Sequence, residues 1–231
     1  LISFSFASDK WSITTLESRV QTNFAISNEQ ESVSVYFGCE NGDIYSVNIN
    51  NGKINWKYSI GSFIGDDLII INSTVITYSG NTLYFFDSKN GTLKNQYSFT
   101  SSVYGISSEL KDDFIYATTQ DAIYAISKDA FIVWQNNINC KKTRPVVDDY
   151  FVYTRCNDFI YSLDKLQGTT KWKSYTGNPI YINGGELRLF VSTADNNMKT
   201  LDITEGKERW GYSAEGWITQ IKDNNGEVFF I

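Results

Sequence analysis

Four tryptophans, Trp56, Trp134, Trp172 and Trp210, stand 78, 38 and 38 residues apart, which is one period of 38 to 39 residues with a single member skipped at Asn95. Four residues ahead of these five positions lie Gly52, Gly91, Ala130, Gly168 and Gly206, and ahead of those again Asn48, Asp87, Ser127, Asp164 and Asp202. The unit reads Asx-x-x-x-Gly-x-x-x-Trp, with Trp replaced in the second copy and Gly in the third. A period of this size marks a supersecondary unit that cannot bury its apolar surface alone and must stack on its neighbours.

Each Asx is preceded by a short apolar segment: Ile44 to Val47, Leu83 to Phe86, Ile123 to Ile126, Ile160 to Leu163 and Met198 to Leu201. Both alternating sets in these segments are largely apolar or small, as in strands covered on both faces. A further strand-like segment lies upstream in each copy: Val33 to Phe37, Val75 to Tyr78, Phe114 to Thr118, Phe151 to Thr154 and Leu187 to Val191. Turn formers such as Asn41-Gly42-Asp43 and Asn157-Asp158 separate the two. Asx opens the next turn through its side chain, Gly supplies a left-handed backbone, and the chain returns as a strand carrying Trp. The spacing predicts an all-β chain of four-stranded antiparallel meanders curving about an axis, which is a β-propeller.

Composition narrows the chemistry. The 231 residues include no histidine, so the commonest general base and transition-metal ligand are both missing, and a zinc enzyme or a Ser-His-Asp hydrolase is ruled out. Twenty Lys plus Arg against 26 Asp plus Glu gives a net charge of −6 without a dense basic run, which argues against nucleic acid as a partner. Sixteen per cent aromatic residues with two prolines and one methionine favour β-structure. No apolar run approaches the roughly 20 residues needed to cross a bilayer. Cys39, Cys140 and Cys156 show no C-x-x-C spacing, so they form neither a disulfide-dense scaffold nor a zinc module. Leu1 to Ala7 reads either as an ordinary strand or as the tail of a signal peptide.

The segments Ile44 to Trp56 (IYSVNINNGKINW), Ile160 to Trp172 (IYSLDKLQGTTKW) and Met198 to Trp210 (MKTLDITEGKERW) resemble the PQQ-like propeller repeat of quinoprotein dehydrogenases and BamB-type assembly scaffolds. The resemblance implies full repeats at roughly 20–60, 61–99, 100–138, 139–176 and 177–214. It also implies partial blades: residues 1–16, where Trp11 marks a returning strand, and 217–231, which begin at Trp217. These ends either join as a mixed sixth blade or belong to a larger ring.

On function the resemblance leaves two classes. One is a non-catalytic, exported or surface-exposed scaffold that presents loops to a protein partner, with membrane association only through an anchor upstream of Leu1. The other is a fragment of a quinone-dependent dehydrogenase. That chemistry uses a vicinal Cys-Cys pair, a stacking Trp and an acidic calcium site, and the chain has no Cys-Cys pair. We therefore expect neither cofactor nor metal.

Candidate binding residues come from the loops of one face. Lys141, Lys142, Arg144 and Arg155 are expected on one rim, either as an anion- or partner-binding patch or as charges that keep a loop wet. Cys140 and Cys156 fall near the same rim, as a disulfide or as two thiols. Acidic residues recur at the opposite face, including Glu29, Glu31, Asp112, Asp113, Asp148, Asp149, Glu186, Asp223 and Glu227, where tight turns favour them anyway. Asn72-Ser73-Thr74 and Asn90-Gly91-Thr92 match the glycosylation acceptor pattern.

Overall fold

The protein is described by a computed structural model covering residues 2–5, 10–13, 16–29, 32–109, 113–138, 140, 143–184, 188–216, 218, 221–224 and 227–230. All regular structure among these residues is β, and no helix is long and apolar enough to cross a membrane. The chain divides into two compact units, Leu1–Ile115 with Ile126–Phe131 and Tyr116–Ala125 with Ile132–Ile231.

The first unit opens with the hairpin β1 (Ile2–Ser5) and β2 (Lys10–Ile13), paired from Ile2 opposite Ile13 to Ser5 opposite Lys10. The first blade is β3 (Ala25–Glu29), β4 (Ser32–Gly38), β5 (Asp43–Asn48) and β6 (Ile54–Ser59). The second is β7 (Leu68–Ile71), β8 (Thr74–Ser79), β9 (Thr82–Asp87) and β10 (Leu93–Ser98). The third comprises β11 (Val103–Ser107), β12 (Phe114–Thr119), β13 (Ile123–Ser127) and β14 (Ile132–Asn136), with β11 in the first unit, β14 in the second, and β12 and β13 divided between them. In the second unit the fourth blade is β15 (Val146–Val147), β16 (Phe151–Cys156), β17 (Phe159–Asp164) and β18 (Thr170–Tyr175). The fifth is β19 (Pro179–Gly184), β20 (Arg188–Thr193), β21 (Asn197–Asp202) and β22 (Glu208–Ser213), and a separate hairpin follows, β23 (Ile221–Asn224) with β24 (Glu227–Phe230). Each blade keeps sequence order across its sheet.

Burial follows the pattern read from the residues. Among the third strands β5 and β13 are buried on both faces, as at Asp43 to Val47, while β9, β17 and β21 alternate buried and half-buried residues along their first half, and the outer strands are mostly exposed. Apolar surface is covered between sheets. One cluster joins Tyr36, Ile44 and Trp56 of the first blade to Leu68, Val75 and Phe86 of the second, and another joins Tyr153, Ile160 and Trp172 of the fourth to Leu189, Val191 and Leu201 of the fifth. At about 25 cal/mol per Å² of apolar surface removed from water, this stacking is the main force holding consecutive blades.

The turn between third and outer strand repeats atom for atom in four copies. The Asp164 carboxylate accepts the Leu166 and Gln167 N–H groups at 3.0 and 2.9 Å, and Asn48, Asp87 and Asp202 do the same two and three residues on. The glycine N–H then donates to the Asx carbonyl at 2.8 to 2.9 Å, with glycine φ between 68° and 72°. The third copy departs from the expected spacing. Its loop is one residue shorter, so Ala130 lies three residues after Ser127, its N–H donates to the Ser127 carbonyl at 2.9 Å, and Ala130 itself adopts φ 66°.

The outer strand enters its sheet through a bulge just before the Trp position. Ile54 pairs with Val47 but Trp56 with Ser46, so Asn55 is the extra residue. Lys94, Lys171 and Arg209 are the extra residues at the matching places in β10, β18 and β22.

Candidate functional site

The tryptophans are clamps between blades. The Trp56 N–H donates to the Ser88 carbonyl at 2.8 Å, Trp134 to Lys165 at 2.9 Å and Trp172 to Ile203 at 2.8 Å. Each acceptor is the residue after the Asx of the following copy. The ring lies flat over that copy's glycine, and a Cβ added at Gly91 or Gly206 would come within 2.6 or 2.5 Å of Trp56 or Trp172, while one at Gly168 would run into Trp134. Glycine is required here for closeness as well as for its left-handed backbone. A tyrosine backs each indole: Tyr36, Tyr116 and Tyr153 have ring centroids 5.9, 6.0 and 5.9 Å from Trp56, Trp134 and Trp172. Trp210 differs from the buried Trp56, Trp134 and Trp172 and is 37 % exposed.

The bulge residues reach back to the turn. Lys94 pairs with Asp87 at 3.1 Å, Lys171 with Asp164 at 3.0 Å and Arg209 with Asp202 at 2.5 Å. Where the first copy opens its turn with Asn48, the bulge residue is the neutral Asn55, which donates to the Ser34 and Ser46 hydroxyls at 3.2 and 3.1 Å. A basic residue seven positions after each Asp was the available sequence signal, and the Trp–Gly pattern drew attention away from it.

Of the rim residues, Lys141 and Lys142 lie outside the described residues. Arg144 is exposed beside the buried Thr143, whose carbonyl accepts the Thr118 hydroxyl. Arg155 stands on β16 rather than in a loop. Its guanidinium donates to the Pro179 carbonyl at 3.2 Å, and burial holds it below the ordinary arginine pKa. Cys140 and Cys156, both buried, are joined as a disulfide with Cα atoms 4.6 Å apart. The bridge ties the segment leading to β15, the shortest inner strand, to the end of β16.

Cys39 is a buried free thiol, and burial together with the adjacent Asp43 carboxylate pushes it up to about 11, so it stays protonated and unreactive. Asp43 pairs with Lys57 at 2.9 Å. Of the acidic residues expected at the opposite face, Asp148 and Asp113 serve local structure. Asp148 accepts the Tyr150 and Phe151 N–H groups at 2.8 and 2.7 Å and the hydroxyl of the fully buried Tyr153 at 2.7 Å, while Asp113 pairs with Lys128 at 3.5 Å. Burial, and then this bond to Asp148, raises the Tyr153 hydroxyl well above the ordinary tyrosine value. Glu31, Asp112 and Glu186, and the side chains of Glu29, Asp223 and Glu227, lie outside the described residues. Among the described residues no cluster of three Cys, Asp or Glu could hold a metal. Asn72 and Asn90 are both exposed in turns, with the Asn72 amide donating to Asp113 at 3.1 Å and the Asn90 side chain accepting the Thr92 N–H at 2.9 Å.

Stacked four-stranded meanders locked by an Asx-Gly turn and an indole define a PQQ-like β-propeller. The family model described as outer membrane protein assembly factor BamB matches residues 122–228, and the repeats of this chain are of that PQQ-like type. Among solved structures, BamB from Moraxella catarrhalis superposes with a TM-score of 0.58 at 12 % identity, covering 96 % of this chain and 84 % of that one. The computationally designed protein Ika8 superposes with a TM-score of 0.77, also at 12 % identity, covering 93 % of this chain and 68 % of that one. At such identity the likeness establishes the fold. No curated protein matches the chain by sequence.

Proposed function

We propose that this chain is a non-catalytic, exported scaffold whose blades hold loops in place for a protein partner; the family model that matches it is described as an outer membrane protein assembly factor. The observation that carries the reading is that the side chains quinone chemistry would need are already committed to architecture. Cys140 and Cys156 are bonded to each other across 16 residues rather than forming a vicinal pair. Three indoles are fixed over glycines of the next blade by their N–H bonds. The carboxylates of Asp87, Asp164 and Asp202 are held by turn amides and by Lys94, Lys171 and Arg209. These residues do not fit a quinone and its calcium, and no reaction step is assigned to them.

The disulfide supports export, since such bonds persist in oxidising compartments. Lys141, Lys142 and Arg144 are the proposed contact with an acidic surface of the partner. The test is thermal unfolding with and without PQQ and Ca²⁺. We expect no change in Tm. A ligand present at about 100 times its Kd adds about 2.7 kcal/mol, roughly 5–11 °C for a chain of this size. A shift of that order would overturn the scaffold reading in favour of a quinone-dependent enzyme.

A further inference from the structure

The five outer strands can be compared place by place. β6 carries Lys57, β10 Lys94, β18 Lys171 and Lys173, and β22 Glu208 and Arg209. β14 reads Ile132-Val133-Trp134-Gln135-Asn136 and carries no charge. Ile54 and Leu93 occupy the place of Ile132 in the first two blades, so an apolar residue there is ordinary. The difference falls one residue later, where Asn55, Lys94, Lys171 and Arg209 give way to Val133. Ile132 and Val133 are 40 % and 44 % exposed, on a strand that ends its sheet.

An outer strand offers a row of backbone N–H and C=O groups, and soluble proteins guard such edges with charges, lysine above all. Here the guard is absent. In the same unit the Lys165 carbonyl receives the Trp134 N–H at 2.9 Å, and the Lys165 N–H donates to the Tyr150 carbonyl at 3.1 Å. The β15–β16 turn is thereby bonded to the turn under Trp134, and each carries an exposed apolar side chain, Tyr150 at 68 % on the former and Leu166 at 71 % on the latter.

We propose that the edge of β14 binds an extended, uncharged segment of a partner protein by strand addition, with Leu166 and Tyr150 receiving apolar side chains at one end. This deepens the scaffold reading and rests on it. The backbone row selects a strand over a helix, since only an extended chain can bond along it. Ile132 and Val133 select an uncharged one, since a charged residue laid against them would lose its hydration without gaining a counter-ion.

The test is selection from a display library of random short peptides on the whole chain, followed by affinities for Val133→Lys, Val133→Thr and Arg144→Glu. We expect peptides with alternating apolar residues and no charge, weakened about tenfold or more by Val133→Lys and retained by Val133→Thr, which keeps a β-branched neutral residue. Slower amide exchange at residues 132–136 on binding would support the proposal independently. Peptides that bind Val133→Lys equally but are lost in Arg144→Glu would overturn the edge while leaving the scaffold reading intact. No enrichment would also overturn it. A dimer of the wild-type chain abolished by Val133→Lys would overturn it too, because the edge would then belong to a second copy.

Discussion

The junction between the fourth and fifth blades and that between the second and third are built from the same repeat and differ at both residues of the clamp. In the first, Trp172 lies over Gly206 and donates to Ile203. In the second, Asn95 stands where the Trp would be, and Ala130 where the glycine would be. Both halves of the clamp are missing together. That is intelligible, because the only space a Trp of one copy requires is the absent Cβ of the next, and without the ring that space need not be kept. The bulk has moved within the blade as well: Asn95 pairs across the sheet with the fully buried Phe85, whereas Trp56, Trp172 and Trp210 pair with Ser46, Ser162 and Thr200. The clamp is thus a property of consecutive copies, and its loss in one place is compensated by a larger residue on the neighbouring strand.

The contrast is sharpest if the clamp is removed where it exists. Trp172→Ala should cost about 3–5 kcal/mol, the range for truncating a buried large aromatic residue, whereas Asn95→Ala should cost under about 1 kcal/mol, as for a substitution away from the core. Urea unfolding followed by fluorescence of the remaining tryptophans measures both. A Trp172→Ala loss below that of Asn95→Ala would break the distinction between the two junctions.

The converse change is smaller. Asn95→Trp brings a large ring against Phe85 and Ala130 and should cost about 1–3 kcal/mol through overpacking. Ala130→Gly removes the Cβ and relieves an L-residue held at φ 66°, so the double variant should recover at least about 0.5 kcal/mol beyond additivity. Strict additivity would show that the coincidence of Asn95 and Ala130 has no steric basis.

What the sequence made legible was the part of the fold that repeats in register. Gly, Trp and Asx sit at fixed offsets because one turn geometry requires all three, so the second, third and outer strands could be drawn from the residues alone. The innermost strands were harder to delimit: β15 is only Val146–Val147, and its position owes as much to the Cys140–Cys156 bridge as to its own residues. The basic bulge residues are not legible from strand alternation, because their partners lie seven positions back, a spacing set by the turn and the bulge together. Arg155 is expected among the loops between second and third strands, and β16 runs one residue past it, where its guanidinium donates to the Pro179 carbonyl of β19. The bare edge of β14 emerges only when the blades are aligned, since nothing within Ile132-Val133 sets it apart from an ordinary strand.

The smallest expected effect concerns the Asp turns of the second, fourth and fifth copies, where the third has Ser127 instead. Hydrogen bonding to Lys171 holds Asp164 below the usual carboxylate range, and Arg209 with Thr204 does so more strongly for Asp202. At Asp87 burial opposes the shift, but Lys94 and the Lys89 and Asn90 amides prevail. A carboxyl whose folded pKa is depressed contributes stability that is fully present above its unfolded value of about 3.9 and is lost as pH falls through the folded one. Lys171→Met should therefore lower stability by no more than about 1 kcal/mol at neutral pH, as expected for an exposed pair. The difference from wild type should shrink as pH falls below about 4 and vanish once Asp164 is protonated in both. Unfolding free energies across that acid range read the outcome directly. A deficit that persisted unchanged in acid would mean that Lys171 acts through its methylenes packed on the turn, and the charge would then have no part in holding the blade hairpin.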